Sequence, residues 1–199
     1  MEFFSNKVND VQPVLDLKKN DILDLTKAAP SLKNVIVGAG WDVAEIGPSF
    51  DLDISAFLLD ERNRVRNPAE DVVFFNQMQQ KGIRLEGDNL TGEGEGDDER
   101  IDVALDQVAP YVHKIVFLVT IFEAHIKHQT FGMVNNSYIR LLDADNNEKE
   151  LCRFSLKENA STATAIVFAE LYREHHNWKF KAIGDGKIGD LNTLLAAYM

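Results

Sequence analysis

The sequence predicts a mainly β protein, a sandwich of many short strands with one or two short helices, one of them at the C-terminus. Short apolar runs alternate with Gly, Pro, Asn and Asp turn signals along most of the chain, and several of these runs alternate apolar with polar residues. Only one stretch carries clear helical spacing. At 199 residues, with 45% apolar and 27% charged side chains, the chain can bury one ordinary globular core.

Taken in order, residues 1–18 show no sustained period and read as an N-terminal arm, which leaves 19–199 as the domain. Val35-Ile36-Val37 runs into Gly38-Ala39-Gly40 and then Trp41-Asp42. From Asp51 to Leu58, Leu52, Ile54, Ala56 and Leu58 share one face, and Asp51 and Asp53 share the other. Val72 to Phe75 and Ile115 to Phe122 are apolar on both faces and read as buried strands. Gly132 to Leu142 and Glu150 to Leu156 flank a polar turn at 143–147, as in a hairpin. Ser161 to Glu174 fits strand or helix, whereas Asn177 to Ile183 places Trp178, Phe180 and Ala182 on one side, as in a half-buried strand. Glu99 to Val108 reads as a short helix closed by Pro110. Leu191, Leu194, Leu195 and Tyr198, spaced i, i+3, i+4, i+7, predict the C-terminal helix.

Several function classes lose support at this level. The formal charge of −11 opposes a protein that tracks nucleic-acid phosphates. No apolar run approaches the length of a membrane helix, and residues 1–6 carry no basic start to a secretory signal, so a soluble cytoplasmic protein is expected. A single cysteine, Cys152, rules out an internal disulfide framework and alternates with Phe154 as a buried hydrophobe would. No Ser-His-Asp order, Cys-His pair or phosphate loop stands out, so no catalytic residue is expected. His125 and His128 lack a strong helix to present them as a metal pair, and the 143–147 turn has Glu148 where a calcium loop of the EF-hand kind needs Gly.

The charge itself is local. Between Glu86 and Asp106 nine acids face one base, so this window holds −8 of the −11. Its centre, Gly87-Asp88-Asn89-Leu90-Thr91-Gly92-Glu93-Gly94-Glu95-Gly96-Asp97-Asp98-Glu99, combines a flexible glycine backbone with carboxylates and an amide. Calcium takes six to eight such oxygens, magnesium is its competitor with fewer, and softer metals want the Cys or His that this loop lacks. The alternative is a solvated acidic loop, but three consecutive carboxylates near Asp88 repel one another unless a cation intervenes. Asp51 and Asp53, roughly 6.5–7 Å apart on one strand face, are further candidate ligands, and Asn76 offers an amide oxygen.

These motifs carry a family resemblance. Gly40-Trp41-Asp42, Phe50-Asp51-Leu52-Asp53-Ile54-Ser55-Ala56-Phe57, Val73-Phe74-Phe75-Asn76, the long glycine-acid motif, Gln129-Thr130-Phe131-Gly132, Tyr138-Ile139-Arg140 and Trp178-Lys179-Phe180 occur in that order. Over roughly residues 20–199 the chain resembles the TerD family of bacterial tellurite-resistance and stress proteins. The resemblance implies a sandwich of two antiparallel sheets, more than one bound calcium ion, and a binding or adaptor role without established enzymatic activity. It implies a calcium shell drawn from Asp42, Asp51, Asp53, Asp88, Asn89, Gly94, Gly96, Asp97, Asp98 and Glu99. It also implies partner proteins of a tellurite-resistance or stress system, with a membrane-associated complex as one setting, and neither nucleic-acid binding nor membrane insertion. The rival reading is an enzyme whose clustered carboxylates hold a catalytic divalent cation, which needs an open coordination position.

Overall fold

A computed structural model of the chain describes residues 14–42, 50–87, 96–155, 161–175 and 177–199. Its strands are Leu15–Asp16 (β1), Ile22–Asp24 (β2), Asn34–Gly40 (β3), Leu52–Leu59 (β4), Val72–Val73 (β5), Gln79–Gln80 (β6), Ile83–Glu86 (β7), Glu99–Ala104 (β8), Lys114–Ile121 (β9), Tyr138–Asp143 (β10), Lys149–Ser155 (β11), Ala165–Glu174 (β12) and Asn177–Lys187 (β13). They form a seven-stranded sheet, β1-β11-β10-β3-β8-β7-β6, and a six-stranded sheet, β2-β13-β12-β9-β4-β5. Pairing is antiparallel except where β1 runs parallel to β11, so the last residues of the expected arm join the first sheet.

Strand alternation builds the core between the sheets. Val35, Val37 and Ala39 of β3 and Ile101 and Val103 of β8 meet Leu52, Ile54, Ala56 and Leu58 of β4 and Ile115, Phe117 and Val119 of β9. The opposite faces of β4 and β9 are also apolar over the half that a second cluster covers. Phe57, Leu59, Val116 and Leu118 lie beneath Leu194 of the C-terminal helix Leu191–Ala196 (called α4 below), with Leu191, Leu195 and Tyr198 packed against them. Asp190 caps that helix, its carboxylate accepting from the Thr193 amide at 2.8 Å.

Three further four-residue helices occur, Leu25–Ala28 (α1), Pro68–Asp71 (α2) and Ala124–Lys127 (α3), so the described residues hold four short α-helices where one or two were expected. The helix expected over 99–108 is corrected: residues 99–104 are strand β8, with Glu99, Ile101 and Val103 buried and Arg100, Asp102 and Ala104 half-buried. Period-two burial and two β-branched inward residues win over the weak helical spacing. The ambiguous 161–174 stretch resolves as the ten-residue strand β12, with a register shift between Val167 and Ala169. The 143–147 segment is the expected hairpin turn, and Asp145 also reaches across to accept from the Lys33 and Asn34 amides at 2.6 and 2.9 Å.

Candidate metal centre

The pairings Leu52 with Ile121, Ala39 with Glu99 and Tyr138 with Gly40 place the end of β3, the starts of β4, β8 and β10 and the end of β9 at one end of the sandwich. Three acidic segments far apart in sequence therefore converge there: Asp42, Asp51 to Asp53, and Asp97 to Glu99. Two hydrogen bonds stitch them together. The Ile54 amide donates to Glu99 Oε2 at 2.6 Å, and the Trp41 amide donates to Asp98 Oδ2 at 2.8 Å. Beyond the short β5 pairing, no strand among the described residues lies on that side of the Ile54 amide, and the inward-turned Glu99, 1% exposed, supplies its acceptor.

The consecutive acids separate because only Glu99 belongs to β8, while Asp97 and Asp98 lie in the segment that leads into it. Glu99 turns inward, whereas Asp97 lies on the outer face of the first sheet. The Asp97 carboxylate sits over Gly38, where a Cβ would stand 2.2 Å from Oδ2. Arg140 Nε donates to Asp97 Oδ1 at 2.6 Å, and Arg100 Nε stands 3.8 Å from Oδ2 in an ion pair that lacks hydrogen-bond alignment. Arg140 is raised above its ordinary range: burial opposes this, but the bonds to Asp97 and Glu150 prevail. Asp98 lies between these two environments. Burial pushes its carboxyl up, the Trp41 amide opposes that, and the charges of Asp97 and Asp42 add to it. Gly96, at φ +101°, makes the turn into this segment, and its carbonyl accepts from Tyr138 Oη at 2.7 Å.

Asp42 is exposed and accepts from Asn136 Nδ2 at 2.6 Å, while Asp51 is half-buried and its carbonyl accepts from the Phe122 amide at 2.8 Å. Asp53, 8% exposed, turns with Ser55 to the outer face of the second sheet. There the two line a cavity of about 740 Å³ with Asn76, Thr120 and the phenylalanines Phe74, Phe75 and Phe122. Asp53 and Asn76 thus share one hollow. Asp88, Asn89 and Gly94 lie outside the described residues. Among the described residues, no three acids, histidines or cysteines stand close enough to hold an ion by themselves. The roles of Arg140, Arg100 and Asn136 are not readable from the sequence, because each depends on a partner more than 40 positions away or on a cross-strand register; in the case of Arg100, that register opposes it to Gly38.

A two-sheet sandwich whose acidic strand ends are drawn to one end defines a class of small β modules with an anionic loop edge. The chain belongs to the TerD family: the TerD domain matches residues 14–198. It is 46% identical over 187 residues to the tellurium resistance protein TerD of Serratia marcescens, covering 92% of this chain and 96% of that protein. General stress protein 16U of Bacillus subtilis strain 168 is 43% identical over 188 residues, covering 92% and 96%. The crystal structure of a telluride resistance protein homologue from Streptomyces coelicolor A3(2) superposes with a TM-score of 0.69 at 26% identity, over 83% of this chain and 96% of that one. Among the described residues no helix is long and apolar enough to cross a membrane.

Proposed function

We propose that this protein is a calcium-binding adaptor of a bacterial tellurite-resistance and stress system, acting in the cytoplasm by binding other proteins rather than by catalysis. The observation that carries the reading is the stitching of Asp42, Asp51 to Asp53 and Asp97 to Glu99 to one end of the sandwich, the end where Gly87 and Gly96 of the glycine-acid motif lie. Asp98, Asp53, Asp51 and Asp42 offer carboxylate oxygens at this end, and such oxygens suit a hard cation. Asp97 differs: its charge is spent on Arg140 and Arg100. In this reading the cation supplies charge neutralisation across the three segments. The chain's own work is to hold the segment ends in register and to exclude water around Glu99 and Asp53.

Calorimetric titration of chelator-stripped protein tests the reading. Calcium should bind at least tenfold more tightly than magnesium, because the site offers many anionic oxygens on a flexible backbone. Equal affinities would reduce the site to a generic counter-ion cloud.

A further inference from the structure

At the other end of the sandwich, the 29–33 segment, the 105–110 segment and the β12–β13 turn enclose a cavity of about 490 Å³. Arg173, the second-to-last residue of β12, forms part of its wall. Four arginines are half-buried among the described residues: Arg100, Arg140, Arg153 and Arg173. The first three each stand within ion-pair distance of a carboxylate. Arg173 has none within that distance among the described residues, although the chain carries a net −11.

Its guanidinium is nonetheless fixed. Nη2 donates to the Val108 carbonyl at 2.9 Å, and the group stacks over the cross-strand Trp178 ring at 4.7 Å. Nε is buried and has no hydrogen-bond partner among the described residues. Burial alone, with no opposing carboxylate, holds Arg173 below its ordinary range, the reverse of Arg140 and Arg153. A half-buried, oriented guanidinium with no carboxylate beside it is costly unless an anion completes it. Lys33 and His175 add a cation and a donor to the same wall, while Asp106, exposed and unpaired among the described residues, is its only carboxylate among them.

We propose that this cavity is an anion site for a small metabolite, taking a phosphate or carboxylate group onto Arg173, with Trp178 holding the guanidinium plane. The volume lies within the range of small-molecule sites. Arg presents a rigid planar fork suited to either oxyanion, and the partly desolvated setting strengthens the contact. The site is separate from the acidic end and does not depend on the calcium reading.

The chain has two tryptophans, so indole ¹⁵N–¹H resonances offer a reporter at Trp178 and an internal control at Trp41 near the opposite end. Stripped protein is titrated with inorganic phosphate, and separately with citrate, at constant ionic strength. The expected result is a saturable shift of the Trp178 indole while Trp41 stays still, with one probe binding more tightly to identify the preferred oxyanion. Arg173→Gln should weaken binding at least tenfold, and Asp106→Asn should tighten it two- to threefold by removing the like charge. An unsaturable shift, equal movement of both indoles, or unchanged affinity in Arg173→Gln overturns the site. Should Arg173→Gln fail to fold, Asp106→Asn and Lys33→Ala decide, since both positions are exposed. Affinity unmoved by either also overturns it.

Discussion

Gly38→Ala is the sharpest test of how the acidic segment is anchored. Gly38 sits mid-strand in β3, opposite Arg140 on one side and Arg100 on the other. A Cβ there would lie 2.2, 2.3 and 2.6 Å from Oδ2, Cγ and Oδ1 of Asp97, so the carboxylate must leave. Its side chain is 2% exposed and bonded to Arg140 at 2.6 Å, and leaving breaks that pair. Separating a buried ion pair costs roughly 3–5 kcal/mol, and Glu150 still holds Arg140, so the low end, about 3 kcal/mol, is expected. For a domain of this size that is a fall of roughly 6–12 °C in melting midpoint. The control reverses the sign. In an Asp97→Ala background the three atoms nearest that Cβ are gone, and alanine is preferred over glycine within a strand by about 0.5–1 kcal/mol. Gly38→Ala should then be neutral or slightly stabilising. Chemical denaturation of the four proteins of this cycle reads the coupling. A Gly38→Ala cost that is the same in both backgrounds, within about 0.5 kcal/mol, would refute the contact.

Saturating calcium should raise the melting midpoint of stripped protein by about 5–10 °C, from the ~2.7 kcal/mol of a hundredfold ligand excess, and Asp51→Asn should shrink that shift in scanning calorimetry. Asp71, 1% exposed, pairs with Lys81 at 2.8 Å and accepts from Tyr111 Oη. Burial alone would raise its carboxyl, but the Lys81 and Tyr111 bonds hold it below the ordinary range. The stability it contributes is therefore complete above the ordinary carboxylate range and is lost as pH falls through the lowered value. Asp71→Asn should cost about 3 kcal/mol at neutral pH and flatten the acid limb of a urea-denaturation series, and an unchanged limb would count against the pair. Burial pushes the Cys152 thiol up to about 12, so a disulfide reagent at pH 8 should label it only as fast as the protein opens, and rapid native-state labelling would contradict that burial.

The strands that were easiest to read are those with a covered second face. The outer face of β9 and the far half of β4 are apolar where α4 lies across them, and the Leu191, Leu194, Leu195 and Tyr198 spacing foretells the helix that does the covering. What escaped were elements shorter than their own period. The four-residue helices α1 to α3 contain about one turn each, too little for a 3.6-residue repeat to register. β1 is two residues long and gains its place only from a parallel partner more than 130 positions away. At the acidic end, the residue types and their clustering were legible. The cross-sheet reach of Glu99 to Ile54 was not, because it depends on how far β5 falls short of covering β4.

The run Asp97-Asp98-Glu99 shows why clustering in sequence is a poor guide to clustering in space. Three adjacent carboxylates look like one ligand set, yet Asp97 and Asp98 lie in the turn before β8 and Glu99 is its first residue, so they meet different surroundings. Asp97 is neutralised by arginines on the outer face, and Glu99 is consumed by a backbone amide inside. Asp98 alone keeps a carboxylate that feels both Asp97 and Asp42. The outer two therefore act as anchors that fix where the glycine-rich segment rejoins the sheet. In the calcium reading proposed above, the middle acid, with Asp42 and the Asp51 to Asp53 strand, supplies oxygens to the cation. In that reading, the proposed ion binding depends less on the number of acids in the loop than on the Gly38 hollow and the Arg140 fork that hold its C-terminal edge in place.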